Sequence, residues 1–128
     1  MNWRALEAFS FGDSPALADE LAALVLAGVK CATCSAASEG PQTEVGKHMV
    51  VLNGSGQPVA VIETIELTQR RFNEVDAAFA YDEGEGDRSL AYWRDAHRRY
   101  FTRLGQFSED MLLYCERFRV VERIDALS

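Results

Sequence analysis

The sequence predicts an α+β domain built on a small, mainly antiparallel sheet. Three observations carry that reading: a helix with both ends signalled in residues 14–28, two β-rich runs joined by a glycine-rich turn in residues 48–67, and an apolar, β-rich run in residues 111–124. Strand runs interrupted by isolated helices, with no repeating strand–helix alternation, suit a mixed antiparallel architecture. At 128 residues the chain reads as one domain, 1–128, with no internal repeat and no linker.

Each element has its own signal. Ser14 offers a capping oxygen ahead of Pro15, which suits a first helical turn; Leu17, Leu21, Leu24 and Val25 recur at helical spacing until Gly28 stops the helix. Residues 30–36 read as a short strand and 38–46 as a polar loop around Gly40 and Pro41. His48–Leu52 and residues 59–67 form a hairpin across Asn53-Gly54-Ser55-Gly56-Gln57-Pro58, a loop longer than the two-residue ideal. Residues 72–81 fit a short helix, and 82–86 an acidic, glycine-rich loop. Asp87 fits as the cap of a longer helix over 88–104 that ends before Gly105, and residues 111–124 close the fold as one strand or two.

Composition narrows the function. A hydrophobic fraction of 48% excludes intrinsic disorder, and 9 Gly with 3 Pro exclude collagen-like and low-complexity classes. The longest helix-like apolar stretch, 21–29, is about half of what a bilayer crossing requires, and the first residues lack the basic-then-apolar pattern of a secretory signal. An odd number of cysteines, three, fits a reducing compartment, so the expectation is a soluble cytoplasmic protein with no membrane partner. The net charge of −7 leaves no dominant basic face, which argues against duplex DNA as a partner. Arginine outnumbers lysine 11 to 2, so Lys30 and Lys47 stand out.

Several residues carry chemistry. Lys30 lies just past a helix stop, at the mouth of a strand. Desolvation there would lower its pKa toward a usable base; if it stays charged it would hold an oxyanion or phosphate, and at a strand end it can equally snorkel to solvent. Thr33 faces the opposite side of a regular strand from Lys30, so the two meet only if the chain bends after Gly28. Glu83 and Glu85 lie in the acidic loop, where adjacent carboxylates raise one another's pKa or collect a hard cation; the plain alternative is a solvated turn. Cys31 and Cys34 form a C-x-x-C whose sulfurs would point apart on a strand. Trp93, His97 and Tyr100 share one stripe of the long helix, as base-stacking platform or as core, while Arg94 and Arg98 share the next, as phosphate contacts or as partners of nearby acids. Trp3 is either a lid over the domain edge or a plug.

The order of Trp3, Phe11-Gly12-Asp13-Ser14-Pro15, Gly28-Val29-Lys30-Cys31-Ala32-Thr33, Gly54-Ser55-Gly56-Gln57-Pro58, Ile62-Glu63-Thr64, Phe79-Ala80-Tyr81, Glu83-Gly84-Glu85-Gly86-Asp87, Trp93-Arg94 and Cys115-Glu116-Arg117-Phe118 resembles the ASCH domain family, closest to its longer YhfF-like branch. The resemblance implies a PUA-like fold, a small pseudo-barrel of about five to six mostly antiparallel strands with flanking helices, and a nucleoside or single-stranded RNA as partner. By likeness to the amidohydrolase branch, which removes the acetyl group of N4-acetylcytidine, Thr33 would be the nucleophile, Lys30 its activating partner and Glu83 the proton relay. Glu85 is the alternative to Glu83. Trp3, Glu85, Trp93, Arg94 and Arg98 would contact substrate. That reaction needs no cofactor. The other readings are a ribonuclease using a divalent metal, Mg or Mn, on Glu83 or Glu85, and a non-catalytic RNA-binding module. Under the hydrolase reading, Lys30→Ala is expected to abolish turnover and barely move the melting temperature.

Overall fold

Ser14 caps the first helix: in a computed structural model that describes residues 2–124, its Oγ accepts from Leu17 N at 3.2 Å, and Pro15 opens α1 (Pro15–Leu26). The strands are β1 (Ala8–Ser10), β2 (Ala32–Ala36), β3 (His48–Leu52), β4 (Pro58–Arg71) and β5 (Leu112–Arg123). The further helices are α2 (Ala77–Glu83) and α3 (Leu90–Arg103).

Two helix starts differ from the sequence pattern, each because a different side chain does the capping. Arg71 N donates to Glu74 Oε1, closing a separate tight turn at Phe72–Glu74, and Asp76 Oδ1 accepts from Phe79 N, so α2 begins at Ala77 and runs on to Glu83. Glu83 therefore ends a helix and does not lie in the acidic loop. Asp87 Oδ1 accepts from Ser89 N, while Ser89 Oγ accepts from Tyr92 N and caps α3.

The five strands form one sheet in the order β1-β3-β4-β5-β2. Every neighbouring pair is antiparallel except β1 with β3, which is parallel. The sheet is thus mostly antiparallel, as expected, but not closed into a barrel. Its outer strands, three and five residues long, stay unpaired with one another. Short edge strands also limit adventitious pairing with other chains.

Alternation along the strands gives the sheet two buried faces, as period-two side chains require. Ala32, Cys34 and Ala36 of β2 face the same way as their partners Arg117, Cys115 and Leu113, beneath α2 and α3, where Phe72, Phe79, Trp93 and Phe101 make one core. Thr33 and Ser35 face the other way with Glu116 and Tyr114, on the side where α1 packs Leu21, Ala22 and Val25 against Met49, Ile62 and Phe118. Among the described residues, no helix is long and apolar enough to cross a membrane.

The hairpin is tied to α1 at one point of close approach. Gly54 N donates to Asp19 Oδ1 at 2.7 Å, and a Cβ on Gly54 would stand 2.1 Å from Pro15 O. Backbone cannot yield there as a flexible side chain would. Gly54→Ala is expected to cost about 1–3 kcal/mol of stability by overpacking, read as a lowered midpoint in urea unfolding; an unchanged midpoint would show that the turn can lift off α1 freely.

Candidate functional site

Two chain reversals build the site. After α1, Gly28 takes φ +76, and the N–H groups of Val29 and Lys30 both donate to Leu24 O, folding the chain back before β2 begins. At the end of α2, Gly84 takes φ +75 and lies so close to this reversal that a Cβ would stand 2.6 Å from Val29 O. Both the dihedral and the contact demand glycine, and together they set Glu83 and Glu85 against Lys30. Cys31 N donates to Asp82 O, and the Arg88 guanidinium, lying over the Tyr81 ring, donates to Tyr81 O and Val29 O. The end of α2 is thereby latched to the start of β2.

Lys30 is only 2% exposed. Its Nζ donates to Glu83 Oε1 at 2.9 Å, to Glu85 Oε2 at 3.0 Å and to Ala32 O at 2.9 Å, with Glu83 O at 3.3 Å. Burial works against the ammonium, but the two carboxylates and their hydrogen bonds outweigh it, and the pKa lies above the ordinary lysine value. Glu83, also 2% exposed, is opposed by burial in the same way and nonetheless held below the ordinary glutamate value by Lys30, His97 and Trp93. Desolvation alone predicts a lysine poised as a base; its partners make it a fixed cation.

The far side of Glu83 is equally occupied. Trp93 Nε1 donates to Glu83 Oε2 at 2.8 Å, and His97 Nε2 stands 3.5 Å from the same oxygen. His97 is stacked on Trp93, and since a carbonyl only accepts, His97 Nδ1 donates to Trp93 O at 2.9 Å. Cys34 lies against Glu83, and burial with that carboxylate pushes its thiol pKa well up.

A cavity of about 610 Å³ is lined by residues of all five strands and of α1 and α3. Lys30, Glu83, Glu85 and His97 line one side of it; Thr33 and Glu116 line the other. Because β2 is an edge strand, the cavity meets both of its faces there.

A family model described as ASCH domain matches residues 7–122. The chain belongs to the ASCH domain family. A crystal structure of an ASCH domain from Lactobacillus crispatus is 42% identical with TM-score 0.84, over 90% of this chain and 79% of that one. A crystal structure of a protein from Enterococcus faecalis is 35% identical with TM-score 0.81, over 91% and 77%. An ASCH structure from Zymomonas mobilis, at 11% identity and TM-score 0.55 over 94% and 71%, shares the fold alone. No curated protein matches.

Within this ASCH domain the residues singled out by sequence separate into three groups. Lys30, Glu83 and Glu85 meet directly. Thr33 lines the same cavity from the opposite face of β2 to Glu83 and is not among the partners of Lys30 Nζ. The remaining contacts lie elsewhere. Trp93 is buried against Phe72 and His97 and is no stacking platform, Arg98 pairs with Glu109 over Phe107, Trp3 is covered by Arg4, and exposed Arg94 stays outside the cavity. Tyr92 and Tyr100 are the exposed aromatic side chains of the cavity lining, which also includes Phe9, Phe11, Phe101 and Tyr114. Glu116 belongs to the Cys115-Glu116-Arg117-Phe118 block of the resemblance, but its only chemical signal is a polar residue at an inward position of an apolar strand.

A hard divalent ion fits this ASCH domain poorly at Glu83 and Glu85, because the oxygens that would ligate it already receive the Lys30 ammonium. Cys34, Glu83 and His97 bring one donor atom each within 4.8 Å of one another, a sulfur–nitrogen–oxygen set unlike the all-oxygen shell Mg requires. Cys31 lies against Asp82, so the C-x-x-C sulfurs do not converge, and all three cysteines are free.

The buried pair revises the expected effect of removing Lys30. Truncation leaves Glu83 buried without its counter-charge, so Lys30→Met is expected to destabilise by about 3–5 kcal/mol, and adding Glu83→Gln should recover part of the loss. Glu83 contributes stability in full above its ordinary value of 4.5, lost as pH falls through its lower folded value; Lys30 contributes in full below 10.5, lost as pH rises through its higher one. Urea midpoints across pH for both variants test this, and a Lys30→Met midpoint equal to wild type would remove the pair as the anchor.

Proposed function

We propose that this ASCH domain, as a YhfF-like member, receives a nucleoside or an unpaired nucleotide of RNA in its cavity and hydrolyses the N4-acyl amide of an acylated cytidine. The observation that supports this most is a buried ammonium and a threonine, Thr33, lining one cavity. A fixed cation in a water-poor site is the group an amide carbonyl oxygen needs as negative charge develops on it.

Thr33 Oγ1 attacks the acyl carbon, and the negative charge that develops on the acyl oxygen is stabilised by the field of the Lys30 ammonium, whose own hydrogens stay on Glu83, Glu85 and Ala32. The C–N4 bond then breaks, N4 leaves as the amine with one added proton, and the acyl group stays on Thr33 as an ester. Water hydrolyses the ester, releasing the carboxylic acid, which ionises in solution, and restoring the hydroxyl; the balance is amide plus water to amine plus carboxylic acid. Lys30, whose ammonium faces four acceptor oxygens, has no lone pair with which to deprotonate Thr33, so it serves as the electrostatic partner. Glu83, with both oxygens engaged, is a positioning residue that keeps Lys30 charged and aimed. Glu85, with a side chain 25% exposed, closes the ion pair toward solvent. Tyr92 or Tyr100 supplies the face on which the base stacks.

Incubation with N4-acetylcytidine should yield cytidine and acetate by liquid chromatography, with Thr33→Val slower by more than about 100-fold and a chelator without effect. Intact N4-acetylcytidine after incubation with wild type would overturn the reading. Chelator-sensitive cleavage of an oligoribonucleotide would put a metal-assisted ribonuclease in its place.

A further inference from the structure

The cavity lining contains a further acid, Glu116, that the proposed chemistry leaves unused. Thr33 and Glu116 are directly paired across β2 and β5, so their side chains leave the same face of the sheet and start about 5 Å apart. Both line the cavity. Glu83 packs on the opposite face and has both oxygens committed, so it cannot follow a proton between Thr33 and a substrate nitrogen.

Glu116 is held for a task of this kind. Thr64 Oγ1 donates to Glu116 Oε2 at 2.7 Å, and Thr43 Oγ1 lies 2.8 Å from Thr64 Oγ1. Since Thr64 spends its only hydrogen on the carboxylate, Thr43 donates to Thr64, and the relay points one way, toward Glu116. Thr64 is 2% exposed, a buried hydroxyl whose bond to Glu116 fixes one carboxylate oxygen. The β4–β5 register shifts between Thr64 and Glu66, and such irregularities re-aim side chains near sites. The other oxygen, Oε1, has no protein donor among the described residues. Burial raises the Glu116 pKa, while the Thr64 hydrogen bond and the Lys30 charge oppose that rise. From β4 it faces Thr64 and Leu67, from β2 Thr33, and α1 brings the apolar Leu17 and Leu21 to the cavity.

We propose that Glu116 is the residue that meets the exocyclic nitrogen of the bound base, accepting its N–H through Oε1, and that it carries the proton in the reaction. A carboxylate accepting from the amine edge is a favourable match for cytosine, whose exocyclic N4 is a donor where uracil has an acceptor. In the reaction, which rests on the hydrolytic reading above, Glu116 takes the Thr33 hydroxyl proton as the Oγ1–carbon bond forms. It gives that proton to N4 as the carbon–nitrogen bond breaks, and ends ionised again.

The test uses the full chain with N4-acetylcytidine as substrate and cytidine and uridine as binding probes. Glu116→Gln should lower kcat by 100-fold or more (on the order of 10²–10⁴ for a lost proton-transfer group). It should also flatten the limb of the kcat/KM profile that rises as Glu116 ionises, and Glu116→Asp should restore part of the rate. Thr64→Val, which removes a bond favouring the ionised form, should move that limb to higher pH. Wild type should bind cytidine more tightly than uridine by calorimetry, and Glu116→Ala should lose that preference, about tenfold. Glu116→Gln turnover within threefold of wild type with the same pH limb, or unchanged cytidine binding by Glu116→Ala, overturns the assignment. If wild type hydrolyses no amide yet binds cytidine in a Glu116-dependent way, the hydrolytic reading and the proton step fall while the contact stands. If wild type neither binds nor cleaves, both fall.

Discussion

The ion pair between Lys30 and Glu83 is the constraint on which the site depends. Two charges this deeply buried cost several kcal/mol each in lost hydration, and the penalty is offset only where the geometry is close and every other polar atom is satisfied. Both conditions are met: Lys30 Nζ has Ala32 O and Glu85 beyond Glu83, and Glu83 has Trp93 Nε1 on its second oxygen. The chain around the pair follows from this. Gly84 has no side chain because α2 must end against Val29, and Arg88 accepts a positive φ of 66 while its guanidinium ties down the carbonyls of both segments.

Placement at the sheet edge explains how one lysine serves two walls. In a central strand Lys30 would be confined to one layer of the domain. Before β2, whose outer side has no strand neighbour, its ammonium reaches Glu83 on the α2–α3 side, while its Nζ lies 5.2 Å from the Phe11 ring on the other. The exposed backbone of an edge strand is normally a liability. Here part of that edge, Ala32 O, is bonded by Lys30 itself, so the same side chain protects the strand and organises the cavity.

Much of the fold was legible in the sequence because its signals are local. The Ser14-Pro15 cap, the Gly28 stop and the glycine-rich hairpin each depend on a few adjacent residues, and each stands where the pattern put it. The three-residue β1 was not legible, because its pairing with β3 comes from Glu7 O and Val50 N meeting across the sheet and not from any run of its own. In the site, Lys30 and Glu83 stand out in the sequence, but residue chemistry leaves the charge state of Lys30 open between a neutral base and a fixed cation. Burial can be guessed from a lysine among apolar neighbours, whereas two carboxylates arriving from more than fifty residues away cannot. For Trp93 the sequence offers core or stacking platform, and the structure places it in the core: helical periodicity puts it on a stripe with Tyr100, and the stripe turns from core to rim over two turns.

A charged lysine changes which residues chemistry can ask for. Were Lys30 neutral, it could take the proton of Thr33 directly, and the acid on its far side could pass a proton around the same ring. With Lys30 held as a cation, the proton leaving a nucleophile needs another acceptor, and it must stand on the nucleophile's own side of the strand. In β2 that side is shared with β5 through direct pairing, so the question falls on position 116 by topology alone, before any property of glutamate is considered. A carboxylate occupies it, lining the cavity, with one oxygen tied by a buried threonine and the other without a protein donor among the described residues. In the proposed reaction the acid that keeps the positive charge in place, Glu83, and the acid that moves the proton, Glu116, are different residues on opposite faces of the sheet.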